Sequence, residues 1–294
     1  MNNRISSVTA VIGLSLASAF LSPAPALANL FENFDGGGNT AYNFTTTSGA
    51  TAPAVLPGGP SGSFVRITYL EGSNNRSIAF DENPSVTGPA AAGLRLAFNF
   101  RISTDQANAD AGGCCGSAAD GIGIGLFATA AYGSTGGINP SDGGPAWERP
   151  AFANAFTVGL DVFQNIDDIN LNWNGVEVAN ATLHGIVDLN NGVFNRLIVE
   201  ILPDGTDARV NMKLVTDVFA NSSVYDVFTD QAVAGLDLSA LPGYRLIAGG
   251  RTGGAFAATD LDNISLAVVP EPSTIALLSL GAAGLMFIRR RSSK

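Results

Sequence analysis

Charged residues make up only 14% of the 294-residue chain, and basic ones are the scarcer kind: 15 Lys and Arg stand against 25 Asp and Glu. Binding to nucleic acid needs clustered Lys and Arg to neutralise phosphates, so a nucleic-acid partner is excluded as an expectation. There is one histidine, His184, and there are two cysteines, Cys114 and Cys115, adjacent to each other and without CxxC spacing. That pair and one His cannot complete a zinc site. Neighbouring cysteines close only a strained ring, so a vicinal disulfide, a bridge to another chain and two free thiols all stay open. Amphipathic helical periodicity is missing from Asn29 to Val268, and so is any internal repeat. What is abundant is apolar and small: 46% hydrophobic residues exclude a disordered chain, and 35 glycines and 14 prolines without a three-residue period exclude collagen. These glycines and prolines are spread among short apolar runs, the pattern of many turns.

The two ends read as address rather than fold. Arg4, an apolar stretch from Val8 to Leu21, Pro23, Pro25 and Ala26-Leu27-Ala28 form a signal peptide spanning 1–28, with cleavage expected after Ala28. At the other end, 269–294, Pro270-Glu271-Pro272 precedes the uncharged run Ile275 to Ile288 and then Arg289-Arg290-Arg291. As a helix that run reaches roughly 21 Å, short of a hydrocarbon core about 30 Å thick. Arginines behind it act as a stop-transfer signal that holds the basic end in the cytoplasm. The order Pro-Glu-Pro, apolar helix, arginines resembles the PEP-CTERM sorting signal of Gram-negative bacteria. That resemblance implies passage through the inner membrane, a transient anchor there, processing by an exosortase, and delivery to the cell surface or an exopolysaccharide matrix. Without the ends, 15 basic residues fall to 10 and 25 acidic ones to 24, leaving a balance of −14.

Residues 29–268 are expected to form one all-β domain. Strands are predicted at Phe64–Leu70, Ser77–Asp81, Gly93–Ser103, Asp120–Ala128, Ala155–Phe163, Leu171–Ala179, Arg196–Leu202, Ala208–Val215, Tyr225–Thr229, Tyr244–Gly249 and Leu261–Val268. Asp204-Gly205 marks a hairpin between the seventh and eighth of these. Val210, Met212 and Leu214 alternate with Arg209, Asn211 and Lys213, predicting one solvated face. Long Gly-, Ala- and Ser-rich loops at 105–119 and 130–154 are the places where binding function tends to sit.

One strand runs into a set of oxygen-bearing groups: Asp161, the Phe163 carbonyl, Asn165, Asp167 and Asp168. Calcium takes six to eight such oxygens, and a strand entering a loop can set alternate residues around one ion. Four segments in order, Ala119-Asp120-Gly121-Ile-Gly-Ile-Gly-Leu-Phe127, Val158-Gly-Leu-Asp161-Val-Phe163-Gln-Asn165, Asn172-Trp-Asn-Gly-Val-Glu177-Val and Ile247-Ala-Gly-Gly-Arg251-Thr-Gly-Gly254, resemble successive strands of legume-type lectins. The closing Ala258-Thr259-Asp260-Leu261-Asp262-Asn263-Ile264 is similar to the last strand of laminin-G-like, concanavalin-like domains. The resemblance implies a two-sheet antiparallel jelly-roll sandwich with carbohydrate as the ligand. It places Asp161, Phe163, Asn165 and Asp168 on calcium ligands. Asp120, Asn165 and a backbone donor at Gly144 fall on sugar contacts. The family's fourth ligand position is Ile169 here, with Asp168 one place early, and its transition-metal ligands fall on Gly159 and about Trp173, so no transition metal is expected.

On the same fold, glycoside hydrolases resembling laminarinases present Glu-x-Asp-x-x-Glu, whose two glutamates must flank one glycosidic bond. Here the frame is Gly159-x-Asp161-x-x-Gln164, both glutamates are missing, and His184 has no nucleophile partner in view. The chain is therefore expected not to be an enzyme. The expected function is non-catalytic binding of polysaccharide or exopolysaccharide, with calcium in support. The alternative is a structural biofilm-matrix component, in which Trp147 and Trp173 are core residues rather than a glycan platform.

Overall fold

In the computed structural model, residues 30–59, 62–83, 93–103, 118, 120–138, 146–163, 166–239 and 243–269 are described. Residues 1–28, expected to be a signal peptide, with Cys114, Cys115, Gly144, Asn165 and the whole C-terminal run from Pro270 to Arg291, lie outside the described residues.

Among the described residues, fifteen strands follow in order: β1 Leu30–Glu32, β2 Tyr42–Thr46, β3 Ala54–Pro57, β4 Ser63–Thr68, β5 Asn74–Phe80, β6 Leu94–Ser103, β7 Gly121–Ala128, β8 Ala155–Asp161, β9 Asp168–Trp173, β10 Val176–Thr182, β11 Asn195–Asp204, β12 Asp207–Thr216, β13 Ser223–Val233, β14 Tyr244–Thr252 and β15 Ala258–Val268. The only helix among the described residues is the single turn α1, Thr129–Tyr132. One sheet has the order β13-β12-β11-β6-β15-β4-β3, with β1 also paired to β15; the other has the order β10-β9-β8-β7-β14-β5-β2. Every pairing is antiparallel. Crossovers between the sheets seat β6 between β11 and β15, and β14 between β5 and β7, so the chain winds as a two-sheet antiparallel jelly-roll sandwich.

The core lies between the sheets. Ile122, Ile124 and Leu126 of β7 and Val158 and Leu160 of β8 meet Leu96, Phe98 and Phe100 of β6 and Val199 and Ile201 of β11 in one apolar cluster. In β12, Val210, Met212 and Leu214 are buried and their neighbours are half-buried or exposed, as the alternation predicts.

Two strand assignments need correction. The run Leu171–Ala179 is not one strand but the hairpin β9–β10, turning at Asn174-Gly175, where φ is 49° and 83°. Asn-Gly adopts two successive positive φ values at low cost, which a tight hairpin turn requires. The β11–β12 turn is Gly205-Thr206, since Asp204 and Asp207 still pair across it. The short strands β1, β2 and β3 escape the sequence reading because they hold three to five residues each and lie at sheet edges or beside a single partner.

The strands β7 and β8 are buried on both faces. Their outer face is floored by Gly121, Gly123, Gly125 and Gly159, and the segment 146–152 lies across it. A Cβ at Gly159 would run into the Glu148 carbonyl and Pro150, and one at Gly249 would enter the Trp147 ring. Trp147 is wholly buried and packs on Phe127 and Phe152 in a second, smaller core. It is therefore not an exposed platform for sugar rings, while Trp173 is half-buried against the main core.

Candidate functional site

Asp120, immediately before β7, is fixed by backbone hydrogen bonds on both sides: its N–H donates to the Arg251 carbonyl at 3.1 Å, and its carbonyl accepts from Val162 at 3.1 Å. Sheet register then puts Gly121 opposite Asp161, and Asp161 opposite Asp168. Three carboxylates thus gather at one end of three neighbouring strands, all on or near the face that carries Gly159. Each is about nineteen-twentieths buried: Asp120 is 6% exposed, Asp161 5% and Asp168 5%. Carboxylates directly opposite one another on adjacent strands repel, and burial strengthens the repulsion, so the arrangement requires cations or protons.

Two arginines supply the cations. Arg149 Nε donates to Asp161 Oδ2 at 2.7 Å and its Nη2 to Asp168 Oδ2 at 3.0 Å, while Nη1 lies 3.6 Å from Glu177 Oε2. Asp161 Oδ1 also accepts from the Phe163 N–H at 3.0 Å, and Asp168 Oδ2 from Asn180 Nδ2 at 2.8 Å. Arg251 Nη1 donates to Glu148 Oε1 at 3.0 Å, and its Nε lies 3.3 Å from Asp120 Oδ2. That last contact is an ion pair outside hydrogen-bond geometry, which leaves Asp120 Oδ2 buried without a hydrogen bond. Glu148 Oε2 and Asp168 Oδ1 are left in the same way.

Burial also raises the affinity of neighbouring acids for protons. Burial pushes Glu148 up to about 7, with the charges of Asp120 and Asp161 adding to the effect while its own backbone N–H and Arg251 oppose it. Burial also raises Asp120, against the pull of Arg251.

The segment 146–152 is what brings Glu148 and Arg149 to this place. Asn170 Nδ2 of β9 donates to the Glu148 carbonyl at 2.7 Å, and the Thr157 hydroxyl of β8 donates to the Pro150 carbonyl. Sequence reasoning missed Glu148 and Arg149, placing both in a Gly-rich loop. The available signal was Trp147-Glu148-Arg149-Pro150, an aromatic and two opposite charges amid small residues.

Of the expected calcium ligands, Asp161 and Asp168 do come together, but on the Arg149 guanidinium rather than around an open oxygen cage. Asp167 turns away: its Oδ1 accepts from the Leu189 N–H at 3.0 Å, and its Oδ2 is 3.9 Å from His184 Nδ1. Burial raises Asp167. The His184 ring stands 65% exposed beside an open 470 Å³ hollow that Asp188 and Asn190 also line. Among the described residues, no three or more His, Cys, Asp or Glu side chains are grouped to hold a metal ion. With Arg149 donating to both, Asp161 and Asp168 as they stand do not fit calcium; Asn165, the other expected side-chain ligand, lies outside the described residues. Among the described residues, no helix is long and apolar enough to cross a membrane; Ile275 to Ile288 lies outside them.

Residues 268–291 match the PEP-CTERM protein-sorting motif. No curated protein matches the chain. Among solved structures, the chain is similar to the VIP36 exoplasmic/lumenal domain in its Ca2+/Man3GlcNAc-bound form, at 15% identity and TM-score 0.45, covering 78% of this chain and 84% of that one. It is also similar to lectin II from Ulex europaeus, at 12% identity and TM-score 0.49, covering 78% and 97%. The winged bean acidic lectin complexed with methyl-alpha-D-galactose is a third, at 14% identity and TM-score 0.46, covering 77% and 98%. The chain carries a PEP-CTERM protein-sorting motif behind an antiparallel two-sheet jelly-roll sandwich.

Proposed function

We propose that this is an exported, surface- or matrix-directed protein that binds carbohydrate without catalysis at the strand ends around Asp120. Export rests on the sorting motif, with residues 1–28 removed as a signal peptide and the run behind Pro270-Glu271-Pro272 holding the protein at the inner membrane until an exosortase acts. The observation that carries the binding reading is Asp120 itself. It is a carboxylate fixed between two neighbouring strands at a strand end, with one oxygen that faces Arg251 and lacks a hydrogen bond, an acceptor that a sugar hydroxyl could satisfy once that buried atom is opened. Asn165 and Gly144 are the proposed companions. Catalysis is not supported: Gly159, where a hydrolase of this frame would carry a glutamate, is pressed under the Glu148 carbonyl and has no room for a side chain.

The test is a glycan array and exopolysaccharide affinity gels run on the purified protein and on Asp120→Asn. The reading predicts binding to at least one polysaccharide that weakens at least tenfold in the variant. Equal binding by both proteins would move the site elsewhere.

A second reading, a structural matrix component without a specific small ligand, is favoured by one feature. Segment 146–152 covers the glycine-floored sheet face, and Trp147 is spent on packing. Failure of every polysaccharide to bind would select it.

A further inference from the structure

We propose that Arg149 is a built-in replacement for a divalent cation, so that the β8–β9 end of the sheet is ordered by a guanidinium and is indifferent to calcium. This goes beyond the carbohydrate reading and does not depend on it.

Register forces the problem. Asp161 and Asp168 face each other across β8 and β9, with side-chain exposures of only 6% and 7%. A buried carboxylate pair of this kind is held by a bound metal, a shared proton or a basic side chain. Here one guanidinium spans both, with Nε on Asp161 at 2.7 Å and Nη2 on Asp168 at 3.0 Å, and its third nitrogen faces Glu177 at 3.6 Å. A planar fork suits this bridging in a way a point charge does not. The remaining polar partners are organic too: the Phe163 N–H and the Asn180 amide each donate to one of the two carboxylates. Donors of this kind occupy lone pairs that a calcium ion would need.

Arg149 does not hang from a free loop. It follows Glu148, whose carbonyl is held by Asn170, and precedes Pro150, whose carbonyl is held by Thr157. The same two strands that create the opposed acids therefore pin the segment that neutralises them. Removing the guanidinium would leave Asp161, Asp168 and Glu177 converging on a vacated position, with Asp168 Oδ1 already lacking a hydrogen-bond partner. Carboxylate oxygens are what a hard divalent cation takes, once these side chains close on the vacated position, since as they stand they are not grouped around one ion.

The experiment is thermal unfolding of the full chain and of Arg149→Ala and Arg149→Lys, each in calcium and in chelator, with terbium luminescence as a second readout. Wild type is expected to melt at the same temperature in both media and to give no terbium signal. Arg149→Ala should melt lower in chelator by roughly 5–15 °C, recover part of that loss in calcium, and bind terbium. Arg149→Lys keeps a charge but loses the fork, so it should melt between the two and ignore calcium. Calcium stabilisation of the wild type, reversed by chelator, would overturn the proposal. So would an Arg149→Ala protein that melts like wild type in chelator. If Arg149→Ala does not fold, the wild-type and Arg149→Lys calcium responses still decide.

Discussion

Glu148 concentrates the electrostatics of the site. Its carboxyl sits near pH 7 in the fold against 4.5 for an ordinary glutamate, because burial disfavours its charged form. A raised folded-state value means the group contributes fully below pH 4.5, and that contribution is lost as pH climbs through about 7. Glu148→Gln carries no such titration. The stability of wild type relative to Glu148→Gln should therefore fall between pH 4.5 and 7, by on the order of 2–3 kcal/mol at most, and then level off. Melting curves of both proteins across that range check it; a pH-independent difference would mean that Glu148 is ionised throughout. Asp161→Ala removes one of the two buried acids on Arg149 while leaving Asp168 and the more exposed Glu177 paired. It should cost about 1–3 kcal/mol, equally in calcium and in chelator. The sequence brought Asp120, Asp161 and Asp168 into view through oxygen chemistry and the lectin resemblance. It did not bring in Glu148, Arg149 or Arg251 as partners, because their contacts depend on a loop folding back over a sheet, and such contacts leave no periodic mark in the chain.

Among the elements, segment 146–152 is the one that changes the character of the sheet beneath it. An antiparallel sheet with one solvated face should alternate in burial, yet β7 and β8 do not, because Trp147 and Pro150 sit on glycines. Gly249→Val would drive a side chain into the buried Trp147 ring, so a loss of about 2–4 kcal/mol is expected. A shift in tryptophan emission should accompany it if the segment lifts. Trp147→Ala should cost a similar or larger amount, about 3–5 kcal/mol. Most strands were legible from alternation, since β11 and β12 bury every second residue. The β9–β10 turn was missed although Asn174-Gly175 is a strong hairpin signal; the apolar and β-branched residues on either side gave the appearance of one continuous strand. The strand at β7 was foreseen, but not that its outer glycines are the room that a covering segment needs.

At the scale of the whole molecule, a jelly-roll sandwich that is strongly acidic by composition keeps several of its scarce arginines for internal carboxylates. Arg149 and Arg251 serve the site, and Arg66 and Arg101 both pair with the fully buried Asp260 in the other sheet. That pairing leaves little positive charge for outward use. The sorting motif at 268–291 sets the destination. Truncation before Val268 would also clip β15, so the informative change is Glu271→Ala, which should leave the fold intact and reduce the amount of protein reaching the surface, as fractionation of cells would show. Fold class and address were both readable because each is written in local pattern. The ligand was not, since a sugar site is a matter of which loops converge.

The most direct measurement is the binding isotherm of the purified protein for exopolysaccharide, taken in calcium and again in chelator. One affinity in both media is expected, and its loss in Asp120→Asn. Binding that vanishes in chelator, or that survives Asp120→Asn unchanged, would contradict it.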